Sequence, residues 1–399
     1  MDDASRSAAS GRRGQRLGRH HDAADVHDQR DVAGSRPGPP HLQRRRRNSG
    51  PLTAVSLRMI DTRFRSQLTA RRAIAGMTLV ELMVALAIGV FLMIGAVTVF
   101  MQGRTTFRIT ESVSRLQENA RFALDVLEPD VRMAYHYGLT NVGANIEGRA
   151  GTTVPAGVPT TCGNTWVNDF ERGIAATNGS SPWPWGGSCA ASAGGAAAAA
   201  DTLIVRRVSA EPVLAGRTAG TLYIQSNRSD KSQLFVGAAL PGSPDPTTSQ
   251  PFRVIANGYY VSTNNTSNLS TPGNTVPSLR MKTLVDGGAI QDREILPGVE
   301  DLQVQLGIDT SPPGTPGRGT IDRFVDPGDA LLADPGFTND ARQILAMRLW
   351  LRLRAERTEG GFVDGTTYSY AGQNFGPFND GYRRTVVSKT VYLRNANLR

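Results

Sequence analysis

"AGMTLVELMVALAIGVFLMIGAVTVFM", residues 75–101, decides the architecture of this chain. From Met77 to Met101 it runs for 25 residues with one charge, Glu81. As a helix rising about 1.5 Å per residue, the run spans roughly 37 Å, enough to cross a bilayer. Arg63, Arg65, Arg71 and Arg72 precede it, against Arg104 and Arg108 beyond it. The positive-inside bias puts the N-terminus in the cytoplasm and the C-terminal body on the far side. A secretory signal would have a shorter apolar core and an A-x-A-like cleavage site, and neither is found here. The segment is therefore expected to stay attached. Glu81 needs a reason, since a carboxylate in hydrocarbon costs several kcal/mol unless it is paired, protonated or able to snorkel to the interface.

The apolar run also divides the charge. The 399-residue chain has a formal net charge of +9, and residues 1–76 account for all of it, with sixteen of the 44 Lys+Arg and seven of the 35 Asp+Glu. The remainder is balanced and offers no basic footprint for nucleic acid. Four of the five histidines (His20, His21, His27, His41) lie in the same leader. The body keeps only His136, so a histidine-based metal or catalytic site is not expected. Residues 1–58 have few apolar residues and no periodicity, and read as a disordered tail or as an extension upstream of a start at Met59.

Past the membrane, apolar or small residues recur at Ile109, Val113, Leu116, Ala120, Ala123, Leu127, Val131 and Ala134. Steps of three and four draw one stripe on a helix. Arg104, Arg108, Glu111, Arg115, Glu118 and Arg121 mostly face away from it. One long helix over 77–137 results, with 77–101 in the membrane and Pro129 expected to kink or interrupt it. Gly89, Gly95 and Gly103 are either points of bending or places of close helix packing.

From 138 to 399 the pattern is strands and turns. Strands are expected at 201–209, 221–226, 252–262, 278–285, 299–309, 344–356 and 382–395. In 344–356, Met347, Leu349, Leu351 and Leu353 alternate with Arg348, Trp350, Arg352 and Arg354. Such alternation marks a mainly antiparallel sheet with one buried face, which the helical stripe would cover. The Gly/Pro/Ala/Ser-rich stretches 176–200 and 262–278 read as loops. The fold class is α+β.

Cys162 and Cys189, an even pair in the far-side body, suggest a disulfide closing about 28 residues, worth roughly 3 kcal/mol on the chain-entropy model. The aspartates of 322–340 (Asp322, Asp326, Asp329, Asp334, Asp340) could in principle hold calcium, but their spacing matches no EF-hand loop and a solvated loop is the simpler reading. There is no P-loop, no G-x-S-x-G and no carboxylate pair set among other active-site features. Neither an enzyme nor a cofactor is expected.

"RRAIAGMTLVELMVALAIG" (71–89) resembles the class III leader of type IV prepilins: basic residues, a glycine, an apolar run, and an acid at the fifth position after the glycine. The resemblance implies cleavage after Gly76 by a prepilin peptidase, N-methylation of Met77, and a role for Glu81 in assembly. Most relatives have Phe where this chain has Met77. "SRLQENARFALDVLEPDVRMAYHYG" (114–138), "ILPGVEDLQVQLGID" (295–309) and "YRRTVVSKTVYLRN" (382–395) resemble PilW-type minor pilins. Ala120, Pro129 and the "YHYG" ending depart from that pattern. The implied fold is pilin-like, and the implied role is priming or capping a type IV pilus with other minor pilins and the major pilin, from the inner membrane. The alternatives are a minor pseudopilin of a type II secretion system and a signal-anchored periplasmic binding module.

Overall fold

The computed structural model describes residues 76–396, apart from 187, 193, 266–274, 313 and 334–342. The leader and its alternative start at Met59 lie outside the described residues. So does most of the 262–278 loop.

A single helix, α1 (Leu79–Arg132), carries the N-terminal half of the architecture. Thr78 caps it, its Oγ1 accepting from the Glu81 backbone N–H at 3.2 Å. The helix passes through Pro129 for three more residues and ends at Arg132, five residues short of the expected 137. Proline removes one i→i−4 bond, which is cheap so near an end. Tyr135 then turns the chain with a left-handed backbone (φ 63°) and Gly138 with φ 87°. The buried positions of α1 include Leu116, Ala120, Ala123, Leu127 and Val131, with Ala134 just beyond, as the stripe predicts. Ile109 and Val113, its first two members, are half-buried.

Eight strands form the first sheet: β1 (Ile146–Glu147), β2 (Ile174–Thr177), β3 (Thr202–Val208), β4 (Leu222–Asn227), β5 (Ser232–Val236), β6 (Ser249–Ser262), β7 (Ser278–Leu284) and β8 (Ile290–Pro297). Their order is β1-β5-β4-β6-β3-β2, with β7 paired to β6 and β8 to β7. All pairs are antiparallel except β1–β5. The long β6 organises the sheet by pairing β3 along one edge and β4 and then β7 along the other.

A second, antiparallel sheet follows: β9 (Val299–Asp309), β10 (Arg323–Val325), β11 (Gln343–Arg354) and, beyond a small hairpin of β12 (Tyr368–Tyr370) and β13 (Gln373–Phe375), β14 (Arg384–Tyr392). Its order is β10-β9-β11-β14. A short helix, α2 (Ala330–Ala333), lies between β10 and β11. The stripe of α1 packs into one core with Leu203, Tyr259 and Leu279 of the first sheet and Leu302, Met347 and Leu349 of the second.

The expectation of one sheet with one buried face is corrected in two ways. There are two larger sheets, and each is covered on its second face as well. On the second sheet, Arg348, Trp350, Arg352 and Arg354 do alternate with the core residues, yet none is fully exposed. Arg348 stacks on Phe324 at 3.6 Å, Arg354 on Tyr382 at 4.2 Å, and Arg352 on Phe378 at 4.7 Å. Guanidinium planes stack on aromatic rings at little desolvation cost, so charged residues can form a buried layer.

On the first sheet the second face carries a separate core made by residues 137–200, much of which reads as loop. Cys162 and Cys189 are disulfide-bonded there. Trp166, Trp183, Trp185 and Tyr260 pack edge-to-face around them, with ring centroids 4.8–6.1 Å apart. Gly258 in β6 makes room, since a Cβ there would come within 2.8 Å of Trp166 and 2.9 Å of Trp185.

Candidate functional site

The N-terminal border and the first half of α1 are the part of the molecule that its own fold does not use. Gly76 is exposed, and among the described residues nothing stands within 4 Å of where a Cβ would lie. From Leu79 to Met101 every residue of α1 is exposed, the large apolar ones by 50–81%. This stretch contains an 18-residue window of mean hydropathy 2.7, none of it buried. Apart from Glu81 in its first turn, no spot on its circumference is polar enough to face water, which is how a helix made for lipid or for other helices looks. Thr98 answers its own hydroxyl by donating to Ile94 O and Gly95 O, and Thr105 donates to Met101 O. Such back-bonding keeps polar groups satisfied in hydrocarbon. Gly89, Gly95 and Gly103 leave the helix unbroken, and among the described residues nothing from outside the local helix backbone stands within 4 Å of where their Cβ atoms would lie.

Glu81 lies on the third position of this helix and is exposed. With Thr78 at the cap, "TLVE" has the T-x-x-E spacing of a capping box, of which the Thr78-to-Glu81 N–H half is formed. An acid in the first turn is also favoured by the helix dipole.

The other end of α1 is clamped to the body by a residue that the sequence does not announce. Asp130 is 5% exposed and lies among the apolar stripe. Its Oδ1 accepts from Arg207 Nε of β3 at 2.6 Å. Its Oδ2 accepts from Asn257 Nδ2 at 3.0 Å and from Tyr259 Oη at 2.8 Å, both of β6. Three donors on two strands thus meet one carboxylate on the helix, which fixes both the rotation and the depth of α1 on the sheet. His136, the only body histidine, follows it. Burial and the nearby Arg207 charge push its pKa below the ordinary value.

With this geometry, two family models match. Residues 258–395 match PilW, described as type IV pilus-assembly protein W, and residues 71–97 match the prokaryotic N-terminal methylation motif. The chain therefore carries a PilW-like region together with a prepilin-type methylation motif. A type IV-like pilin from Thermus thermophilus is a structural neighbour at 15% identity and a TM-score of 0.30, over 71% of this chain and 98% of that one. No curated protein sequence matches.

The PilW match covers about a third of the chain, from the second half of β6 through β14. It takes in the whole second sheet and leaves out the disulfide layer. Within it lies a dense ion network. Arg384, its side chain 1% exposed, donates to Glu300, Asp364 and Asp380. Arg352 donates to Glu300 and to Tyr370 Oη, which in turn donates to Asp301. Burial alone would raise the Glu300 pKa, but hydrogen bonds and charge from Arg384 and Arg352 outweigh it and hold the carboxyl below its ordinary value. A buried network of this kind sets geometry more than it adds net stability.

Between the two sheets the joint is Asp201. Its N–H donates to Leu302 O, its Oδ2 accepts from Val304 N–H and its Oδ1 from Gly179 N–H, all at 2.8 Å. Burial pushes its pKa up to about 7 despite those donors. Of the Asp-rich stretch, Asp322 accepts from Thr310, Asp326 from Gln305, and Asp329 from Leu331 N–H. Each turns to a different partner, and Asp334 and Asp340 lie outside the described residues. Among the described residues no group of three or more His, Cys, Asp or Glu is placed to hold a metal.

Proposed function

We propose that this chain is a minor pilin that primes or caps type IV pilus assembly. A prepilin peptidase removes the leader after Gly76 and methylates the amine of Met77. The apolar half of α1 then holds the protein in the inner membrane, with the leader side in the cytoplasm and the body in the periplasm, until it passes into the filament and packs against other pilins. The observation that carries the reading is the division of α1, which past Glu81 is apolar and, among the described residues, unpartnered through Met101, yet built into the body from Leu116 onward.

Glu81 fits this reading physically. Cleavage at Gly76 creates an ammonium on Met77 at the membrane depth of Glu81. A neighbouring subunit's amine can then pair with the carboxylate, offsetting its desolvation and setting the axial register of the two helices. The matched model's description as a pilus-assembly protein supports an assembly role over that of a bulk subunit. The disulfide suits a periplasmic body.

The test is intact-mass and N-terminal analysis of the full chain co-expressed with a prepilin peptidase, beside Gly76→Val. The expected product begins at N-methylated Met77 in the wild type and is absent from the variant. Translation from Met1 or from Met59 gives the same product, so the start does not affect the outcome. A wild-type chain that stays uncut overturns the reading.

A further inference from the structure

Five strands end the two larger sheets, and four are poor templates for another strand. β1, β2 and β10 have two, four and three residues. β8 has eight, but Asp292, Arg293 and Glu294 follow one another along it and it ends at Pro297. Short length, charge and proline are the usual guards of a sheet edge. β14 is different. It has nine residues, and from Val386 to Tyr392 the single charge is Lys389. That ammonium is turned toward Glu128 of α1 at 3.3 Å.

The register shows which backbone groups of β14 point outward. Leu393 N–H donates to Leu345 O at 2.8 Å, which makes that pair a hydrogen-bonded one. Antiparallel pairing alternates, so Val391, Lys389 and Val387 turn their N–H and C=O toward β11. Val386, Ser388, Thr390 and Tyr392 turn theirs to the free edge. Among the described residues nothing pairs with them, and Ser388, Thr390 and Tyr392 are exposed.

We propose that this edge receives an extended strand from another pilin-type subunit, making the four-stranded sheet five-stranded. The proposal rests on the pilin reading above for the class of its partner. Two features choose that occupant. The edge is continuous with α1, where Lys389 meets Glu128 and Asn395 donates to Ala134 O, so a subunit packed along the helix reaches it. With Lys389 already paired to Glu128, the exposed Arg394 leaves positive charge at this border, which favours an incoming strand bearing carboxylates. A second copy of this chain would instead bring like charges together.

The experiment places a photoreactive phenylalanine analogue at Ser388 of the full chain, in cells making it with other proteins that carry methylation-motif leaders. A matching probe at Arg293 on the guarded β8 edge is the control. The expected adduct joins position 388 to a strand of one such subunit, is absent from position 293, and falls about tenfold or more in Thr390→Pro. That proline removes an outward donor and leaves the β11 ladder whole. Should tryptophan emission show that Thr390→Pro is unfolded, Ser388→Pro with the probe at Thr390 replaces it.

No adduct, an adduct only with a second copy, an equal adduct at 293, or one indifferent to the proline overturns the proposal. N-terminal mass is read on the same protein. Cleavage at Gly76 without the adduct defeats the edge proposal alone, whereas an uncut chain defeats the pilin reading whatever the adduct shows.

Discussion

From Leu79 to Met101, and again from Leu116 to Val131, α1 is the same continuous helix in opposite surroundings. In the first part every side chain is exposed, including Phe91 at 81%. In the second, Ala123, Leu127 and Val131 are fully buried. The second part is two-faced, with a stripe for its own body and charges for water. The first, Glu81 apart, is apolar on all sides, and none of it is buried among the described residues. The contrast separates two kinds of hydrophobicity. One stabilises this fold, and the other is left over for lipid and for neighbouring subunits.

Asp130→Ala should break the contrast most. It leaves Arg207, Asn257 and Tyr259 without their shared acceptor, and removing one partner of a buried ion pair costs about 3–5 kcal/mol. Denaturant unfolding followed by tryptophan emission should show that loss, while N-terminal processing is unchanged. A loss below about 1 kcal/mol would mean that the clamp is incidental.

A matched pair sharpens the contrast next. Leu127→Ala should destabilise the body by about 2–5 kcal/mol. Leu92→Ala, the same change at a residue 68% exposed, should leave the unfolding midpoint of the body where it is and act only on filament yield. Equal effects on the body would refute the division of the helix.

The smallest effect lies wholly on the buried side. Asp201 has a folded pKa raised from the ordinary 3.8 to about 7, so the folded body holds this proton more tightly than the unfolded chain. Its contribution is full below the ordinary value and is lost as pH rises through about 7. The melting temperature of the wild type relative to Asp201→Asn should therefore fall between pH 5 and pH 8. A difference that is flat or rises with pH would show that the Val304 and Gly179 donors keep the carboxylate ionised throughout.

Much of this design is legible in the chain because it is periodic. The 3.6-residue stripe of α1 and the two-residue alternation of β11 are local patterns, and both are realised at the named residues. Strand β9 falls on residues 299–309 as expected. What escapes is non-local. Asp130 looks like one more polar residue near a helix end, and its partners lie 77 to 129 positions away. The arginines of β11 look solvent-facing because nothing nearby foretells the rings of Phe324, Phe378 and Tyr382. β8 is hidden by its charges, and the 137–200 layer by its glycine and alanine content, although its three tryptophans and two cysteines were a usable sign of a core. At the N-terminus Gly76, Met77 and Glu81 stand out only by resemblance, and the cap formed by Thr78 is visible only in the folded helix.

The residues just after β14 return to the end of the helix. Asn395 Nδ2 donates to Ala134 O, and Asn141 Nδ2 donates to Asn395 O. The body is thus fastened where it begins and where it finishes, at almost one point. A load arriving along α1 would meet the Asp130 clamp and the Asn395 contact together. A pull on α1 would thus reach the first sheet, through β3 and β6, and the residues just after β14 at once.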